Sequence, residues 1–103
     1  MPGEAAANRL TLDATLLARD PLRYTPAGIA AVDCTLRHES QQREAGGERK
    51  VECELHAVAF ADVARSLCDV PVERTVRCEG FLARRYRTGT TLALHITGFT
   101  ELA

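Results

Sequence analysis

Arginine side chains grouped around one tyrosine give this 103-residue sequence its strongest chemical signal. The segment Arg84-Arg85-Tyr86-Arg87-Thr88-Gly89 places three guanidinium groups beside one phenol ring. Guanidinium groups make bidentate contacts with phosphate, and aromatic rings stack on nucleobases. The segment therefore predicts a binding site for single-stranded nucleic acid, with an ordinary solvated hairpin tip as the alternative.

Two other pairs of residues could add to such a site. Arg23 and Tyr24 combine a guanidinium group with a ring, although Tyr24 could equally pack over the end of the fold. Arg49 and Lys50 lie beside a polar loop with acidic flanks. The complete predicted nucleic-acid-binding set is Arg84, Arg85, Tyr86, Arg87, Arg23, Tyr24, Arg49 and Lys50.

Charge is distributed unevenly along the chain. The net charge is −1, which argues against a general polyanion binder. Residues 74–87 nevertheless carry five arginines against one glutamate, whereas the middle third is rich in glutamate. One face could therefore accept phosphate. A second interpretation stays open, in which the acidic residues dock a basic protein and DNA binding is weak or vestigial; these are Glu44, Glu48, Glu52 and Glu54.

Catalytic and metal-binding patterns are weak. His38-Glu39-Ser40 puts a base, an acid and a hydroxyl side by side, but adjacent residues of a strand point to opposite faces. His56 and His95 have no cysteine or acidic partner at metal-ligand spacing. We therefore predict no enzymatic activity, cofactor, metal site or small-molecule substrate.

The four cysteines form no Cys-x-x-Cys pair, and we predict Cys34, Cys53 and Cys78 to face the interior as small apolar residues. No apolar run approaches the roughly 20 residues of a membrane span. Residues 1–7 resemble a disordered lead-in rather than a signal peptide. These features predict one cytoplasmic domain, residues 8–103, without membrane association.

Alternation of apolar and polar residues predicts five strands, at about residues 9–17, 28–39, 50–60, 75–87 and 91–102. A polar loop is expected over residues 40–48, and Val63 and Leu67 predict a short helix over residues 61–67. Gly80 inside the fourth strand indicates a bend. Three strands, a helix and two strands are the order of an OB-fold, an all-β five-stranded Greek-key barrel with its helix between strands three and four.

The connection between the first two strands carries a distinctive motif. Asp20-Pro21-Leu22-Arg23-Tyr24-Thr25-Pro26-Ala27-Gly28 contains two prolines, which favour a fixed connection over a flexible loop. It follows Asn8-Arg9-Leu10 and an alternating strand. This combination resembles the first third of the bacterial single-stranded-DNA-binding protein superfamily.

Shorter motifs resemble one branch of that superfamily, the small primosomal PriB family. The chain contains no tryptophan, whereas the longer replicative members carry one on the third strand. The matching motifs are Leu36-Arg37-His38-Glu39-Ser40, Glu44-Ala45-Gly46, Val51-Glu52-Cys53-Glu54-Leu55, Glu79-Gly80-Phe81-Leu82 and Leu94-His95-Ile96.

This resemblance implies a non-enzymatic homodimer that binds single-stranded DNA at stalled forks and recruits or stimulates the PriA helicase and other primosome proteins. The family's basic hairpin maps to Arg84, Arg85 and Arg87. Glu52 stands where family members present a stacking ring, which implies weaker DNA binding, and Ala14 stands where the superfamily often has glycine. A general single-stranded DNA- or RNA-binding OB module remains the alternative.

Overall fold

The computed structural model describes residues 6–102, so most of the predicted lead-in, residues 1–5, lies outside the described residues. Within residues 6–102, six strands and one helix follow one another. They are β1 (Leu10–Arg19), β2 (Arg23–Tyr24), β3 (Ala30–Glu44), β4 (Gly47–Phe60), α1 (Ala61–Leu67), β5 (Thr75–Arg84) and β6 (Leu92–Glu101).

Five of the strands form a closed barrel. The order β1-β5-β6-β4-β3 closes because β1 also pairs with β3, through Thr15–Arg37 and Leu16–Leu36. All of these pairings are antiparallel except that of β4 with β6. The helix lies between the third and fourth barrel strands, as the sequence predicts, and the OB-fold prediction is confirmed.

The inward residues of the barrel strands form the core. The largest fully buried side chains are Leu16, Leu36, Leu67, Leu94, Val32, Val70, Val76 and Cys78. Burial of one valine or leucine stabilises the fold by about 1.5–3 kcal/mol. Helix α1 adds Ala64 and Leu67 to the same cluster. The core is thus aliphatic, and most aromatic rings remain available at the surface.

Gly80 produces the predicted bend in β5. The register between β5 and β6 shifts between Glu79 and Gly80. A Cβ atom at Gly80 would lie 1.8 Å from the carbonyl oxygen of His95. Only glycine therefore allows β5 to approach β6 this closely, and the bulge increases the local curvature of the sheet.

The predicted polar loop over residues 40–48 is wrong. Strands β3 and β4 continue in register to a two-residue turn at Ala45 and Gly46, whose φ angles are 52° and 80°. Two successive positive φ angles are typical of the tight turns that join twisted strands. This two-stranded ribbon, residues 40–52 and hereafter the arm, extends the sheet. Its side chains are mostly exposed, so no apolar alternation was required.

The fourth predicted strand, which is β5 in the structure, ends at Arg84 rather than at Arg87. Residues 85–91 form the connection to β6, hereafter the hairpin loop. The backbone N–H of Arg85 donates to the carbonyl of Thr91 at 2.8 Å and closes the base of the loop. Arg85 and Arg87 therefore lie on a loop that is held at its base by a strand pair, and Arg84 is the last residue of β5 before that loop.

Two of the three inward cysteines are confirmed. Cys34 and Cys78 are buried, and burial raises the pKa of their thiols to about 12 and about 11, respectively. The prediction for Cys53 is wrong, because this residue is exposed. Cys53 lies on the same side of β4 as the buried residues Ala57 and Ala59. At Cys53, however, β4 lies outside the barrel, because it pairs with β6 only from His56 to Ala59. This side of the strand therefore covers no core there.

Candidate nucleic-acid interface

One outward surface of the barrel collects residues from β2 to β6. The register pairs Arg23 with Ala31, Asp33 with Val58, and Val58 with His95. His95 in turn lies opposite Phe81 on β5. We refer to this surface as the outer face; its side chains include Arg23, Asp33, His56, Phe60, Phe81 and His95. Successive strands thus bring residues from distant parts of the sequence into one row.

Three rings form an aromatic row on the outer face. His95 stacks on Phe81 with a centroid distance of 4.9 Å and an interplanar angle of 16°. Phe60 lies on its other side with a centroid distance of 6.0 Å. Both phenylalanines are 38% exposed. Exposed rings in a row provide stacking surfaces that every nucleobase can use.

The sequence interpretation missed this row. The available signal was the alternation itself, which places Phe60 and Phe81 on the strand faces opposite the core residues. Several large apolar side chains gathered on one outward face are typical of a binding surface, whereas a single one is not. The rings become a common surface only because β6 lies between β4 and β5.

The hairpin arginines carry unpaired charge. Arg84, Arg85 and Arg87 make no ion pair with any residue between 6 and 102. The guanidinium carbon of Arg85 lies 5.1 Å from the ring centroid of Tyr86, within the range of a cation–π interaction. Tyr86 is 57% exposed. The loop therefore presents cations and a ring to solvent.

The other two arginines of residues 74–87 form ion pairs. Arg74 lies 2.5 Å from a carboxylate oxygen of Glu101, and Arg77 lies 2.7 Å from one of Asp13. The hydrogen bond from Arg77 holds the pKa of Asp13 below its ordinary value. These pairs neutralise the first half of residues 74–87, so the unpaired positive charge of this segment lies at Arg84, Arg85 and Arg87.

Strand β2 positions Arg23. Its Nε donates to Oδ2 of Asp33 at 2.8 Å, and this bond raises the pKa of Arg23. The turn that follows is fixed by the N–H of Gly28, which donates to the carbonyl of Thr25 at 2.8 Å. Tyr24 is 62% exposed, so packing over the barrel end is not its role.

Arg49 and Lys50 lie on the arm with carboxylates beside them. Arg49 is 2.7 Å from Glu44, and Lys50 is 3.0 Å from Glu52, which raises the pKa of Lys50. Arg43 and Glu48 form a third pair at 3.3 Å. Three of the four acidic residues assigned to protein docking thus have cationic neighbours on the same arm.

A cavity of about 170 Å³ joins the two parts of the predicted site. Its lining includes Arg84 and Arg85 as well as Arg23 and Asp33. The rest of its lining includes His56, Phe60 and His95. The structure thus brings Arg23 together with two hairpin arginines, while Tyr24, Tyr86, Arg87, Arg49 and Lys50 do not line the cavity.

His38 makes a contact that the sequence interpretation overlooked. Its Nε2 is 2.8 Å from the Ser40 hydroxyl, because residues two apart on a strand share a face. Its Nδ1 is 2.7 Å from the carbonyl oxygen of Asp13. Glu39 lies on the opposite face. The His38 ring therefore contacts a hydroxyl on its own strand and a backbone carbonyl of β1. Its contact with the Asp13 carbonyl links β3 to β1 near the point where these two strands separate.

A closed OB barrel with exposed rings beside unpaired arginines has the architecture of a single-strand-binding domain. Residues 8–98 match the family described as "Another single-strand binding protein family". Replication restart protein PriB of Bordetella pertussis is 39% identical over 96 residues, which cover 93% of this chain and 90% of that protein. The chain belongs to the PriB family within the single-strand binding proteins.

Solved structures agree with this assignment. PriB from Ralstonia solanacearum has a TM-score of 0.86 and 38% identity, covering 93% of this chain and 98% of that chain. The single-stranded DNA binding protein from Thermus aquaticus has a TM-score of 0.73 and 25% identity, covering 94% of this chain and 50% of that chain. Among the described residues, no helix is long and apolar enough to cross a membrane.

Proposed function

We propose that this chain binds single-stranded DNA, without enzymatic activity, as an accessory protein of replication restart in the cytoplasm. The observation that carries the proposal is the placement of unpaired arginines next to the aromatic row. Arg84 and Arg85 line the same cavity as Phe60 and His95. A single strand needs this combination, because its phosphates and its unstacked bases are both accessible.

The proposed mechanism divides the strand between two kinds of contact. Arg84, Arg85 and Arg87 bind phosphates, releasing counterions and making affinity depend on salt. The rings of Phe60 and Phe81 stack on bases, as does Tyr86 at the hairpin loop. Arg85 already lies against Tyr86, which orders both side chains before DNA arrives.

Fluorescence anisotropy of a labelled oligo-dT strand tests the proposal. The titration is made at low and near-physiological salt, with a duplex of equal length as the control. We expect preference for the single strand and an affinity that falls as salt rises. Absence of binding at low salt would overturn the proposal and favour an adaptor that docks proteins through its acidic residues.

The partner protein is a second part of the proposal. Relatives of similar length are named replication restart protein PriB, which supports a place in the primosome beside the PriA helicase. We expect this chain to increase the rate at which PriA unwinds a forked DNA substrate. A rate that stays the same at saturating concentrations of this chain would exclude the stimulation.

A homodimer is the third part, and the free edge of β1 supports it. Residues Leu10–Thr15 pair with β5, but the pairing of β1 with β3 begins only at Thr15. Within residues 6–102, the opposite edge of residues 10–14 is therefore paired with no strand, although the Asp13 carbonyl contacts the His38 ring. A second copy could pair with this edge. Sedimentation analysis should give the mass of two chains, and a single-chain mass at all concentrations would contradict the dimer.

A further inference from the structure

A groove of about 470 Å³ lies at the Phe81 end of the aromatic row. His95 lines the cavity beside Arg84, and Phe81, which is stacked on His95, lines this groove. The aromatic row therefore reaches from one space to the other. The groove residues that matter for binding are Arg9, Thr11, Glu79, Phe81 and Thr97.

The strand register places Arg9 opposite Phe81. The last backbone pair of β1 and β5 joins Leu10 to Gly80. One residue further along each strand are Arg9 and Phe81, and the side-chain amide of Asn8 continues the pairing beyond them. Residues directly opposite each other on antiparallel strands project to the same face. Arg9 therefore lies on the outer face beside Phe81.

Arg9 carries a charge that no carboxylate neutralises. Within residues 6–102 it makes no ion pair, and it is exposed. Arg77 on the same strand pair differs, because it is bonded to Asp13. Glu79 supplies the one carboxylate among the described residues that line the groove. A phosphate in the groove would thus be attracted by Arg9 and repelled by Glu79.

Resting on the proposed single-strand binding, we propose that Arg9 binds a phosphate of the same DNA strand that stacks on the aromatic row. Phe60 and His95 border the cavity that Arg84 and Arg85 line, and Phe81 borders the groove that Arg9 lines. Cations thus lie at both ends of the row. The three rings belong to β4, β6 and β5, which are neighbours in the sheet in that order, with β1 next. The bound strand therefore runs across the sheet strands toward β1.

Arg9→Gln and Arg9→Lys together test this contact. Both are titrated by fluorescence anisotropy with oligo-dT of about 16 nucleotides, the upper end of the site sizes of OB domains. Loss of one phosphate contact lowers the slope of log affinity against log salt by about 0.7. Raising salt from about 50 to about 200 mM should therefore cost the wild type about 2.5-fold more affinity than Arg9→Gln. Arg9→Lys keeps the charge and should keep the wild-type slope.

Glu79→Gln should have the opposite effect on affinity. Removal of the repelling carboxylate should tighten binding about twofold at low salt, the size expected for two exposed charges in water. Unchanged or weaker binding by this variant would contradict a phosphate in the groove. Arg65→Gln is the matched control, because Arg65 is paired with Asp62 on helix α1, and it should leave affinity and slope unchanged.

The outcomes separate this proposal from the proposed function. A wild-type slope in Arg9→Gln, or an equal change of slope in Arg65→Gln, overturns the Arg9 contact alone. A slope in Arg9→Lys as low as that in Arg9→Gln overturns it as well, because the charge would then have no part in binding. Absence of wild-type binding at low salt overturns the proposed function itself. Thermal unfolding verifies that each variant is folded.

Discussion

The side-chain amide of Asn8 is hydrogen-bonded to both backbone groups of Leu82. Its Nδ2 donates to the Leu82 carbonyl at 2.8 Å, and the Leu82 N–H donates to its Oδ1 at 3.0 Å. The last β1–β5 backbone pair is Leu10 with Gly80. Asn8 thus continues this pairing with a side chain, and it fixes the part of β5 that leads into the hairpin loop.

Asn8→Ala should therefore loosen this end of β5. We expect a loss of about 1 kcal/mol in the free energy of unfolding, because two partly exposed hydrogen bonds are removed. Amide hydrogen exchange at Leu82 should become faster, while exchange at buried Val76 should follow only the change in global stability. An unchanged exchange rate at Leu82 would show that Asn8 does not brace the strand.

Arg84→Ala combined with Arg87→Ala should weaken binding of single-stranded DNA and reduce its dependence on salt. Two lost phosphate contacts lower the slope of log affinity against log salt by about 1.4, at roughly 0.7 for each contact. The matched control is Arg65→Ala with Arg74→Ala, since both arginines are paired with carboxylates away from the hairpin loop. An unchanged slope in the first variant would remove the hairpin loop from the interface.

Phe60→Leu should separate stacking from charge. Loss of one stacked ring should weaken binding by about 1–3 kcal/mol and leave the slope against salt at its wild-type value, because no phosphate contact changes. Anisotropy titrations at several salt concentrations provide both quantities. Full affinity in a folded Phe60→Leu protein would contradict a role for the aromatic row.

Gly80→Ala should destabilise the barrel strongly. The new Cβ would lie 1.8 Å from the His95 carbonyl oxygen, so β5 and β6 would have to separate, at an expected cost of about 3 kcal/mol or more. Gly98→Ala on β6 is the control, because its Cβ would meet only a Glu79 carboxylate oxygen at 3.8 Å. Denaturant unfolding distinguishes the two, and equal small losses would argue against the close approach.

Asp13→Asn should change stability in a pH-dependent way. Arg77 lowers the pKa of Asp13 in the folded protein from its ordinary value of 3.8, so the folded state binds this proton less readily than the unfolded state. Its contribution is therefore fully present above about pH 4 and fades as the pH falls through the folded pKa. The variant should melt below the wild type at neutral pH, and the difference should close in acid. A difference that stays constant with pH would contradict the assignment.

The strands of the barrel could be predicted because one side of each strand faces the apolar core and the other side faces solvent. Leu94 and Ile96 face the core with His95 between them, so alternation marks the strand and its inward side. The arm shows the limit of this signal: both of its sides meet solvent, and the sequence there indicated a loop. Cys53 was wrongly placed for the same reason.

The sequence by itself determined the order of strands and helix, the inward residues, the charged hairpin loop and the likeness to the PriB family. Those properties depend on neighbours along the chain. Only the tertiary structure decided which arginines stay unpaired, that Phe60, His95 and Phe81 form one row, and that Arg23 and Arg84 line the same cavity. These relationships depend on which strands become neighbours when the barrel closes. The alternation within one strand shows which side of that strand is buried, but it does not show which other strand lies beside it.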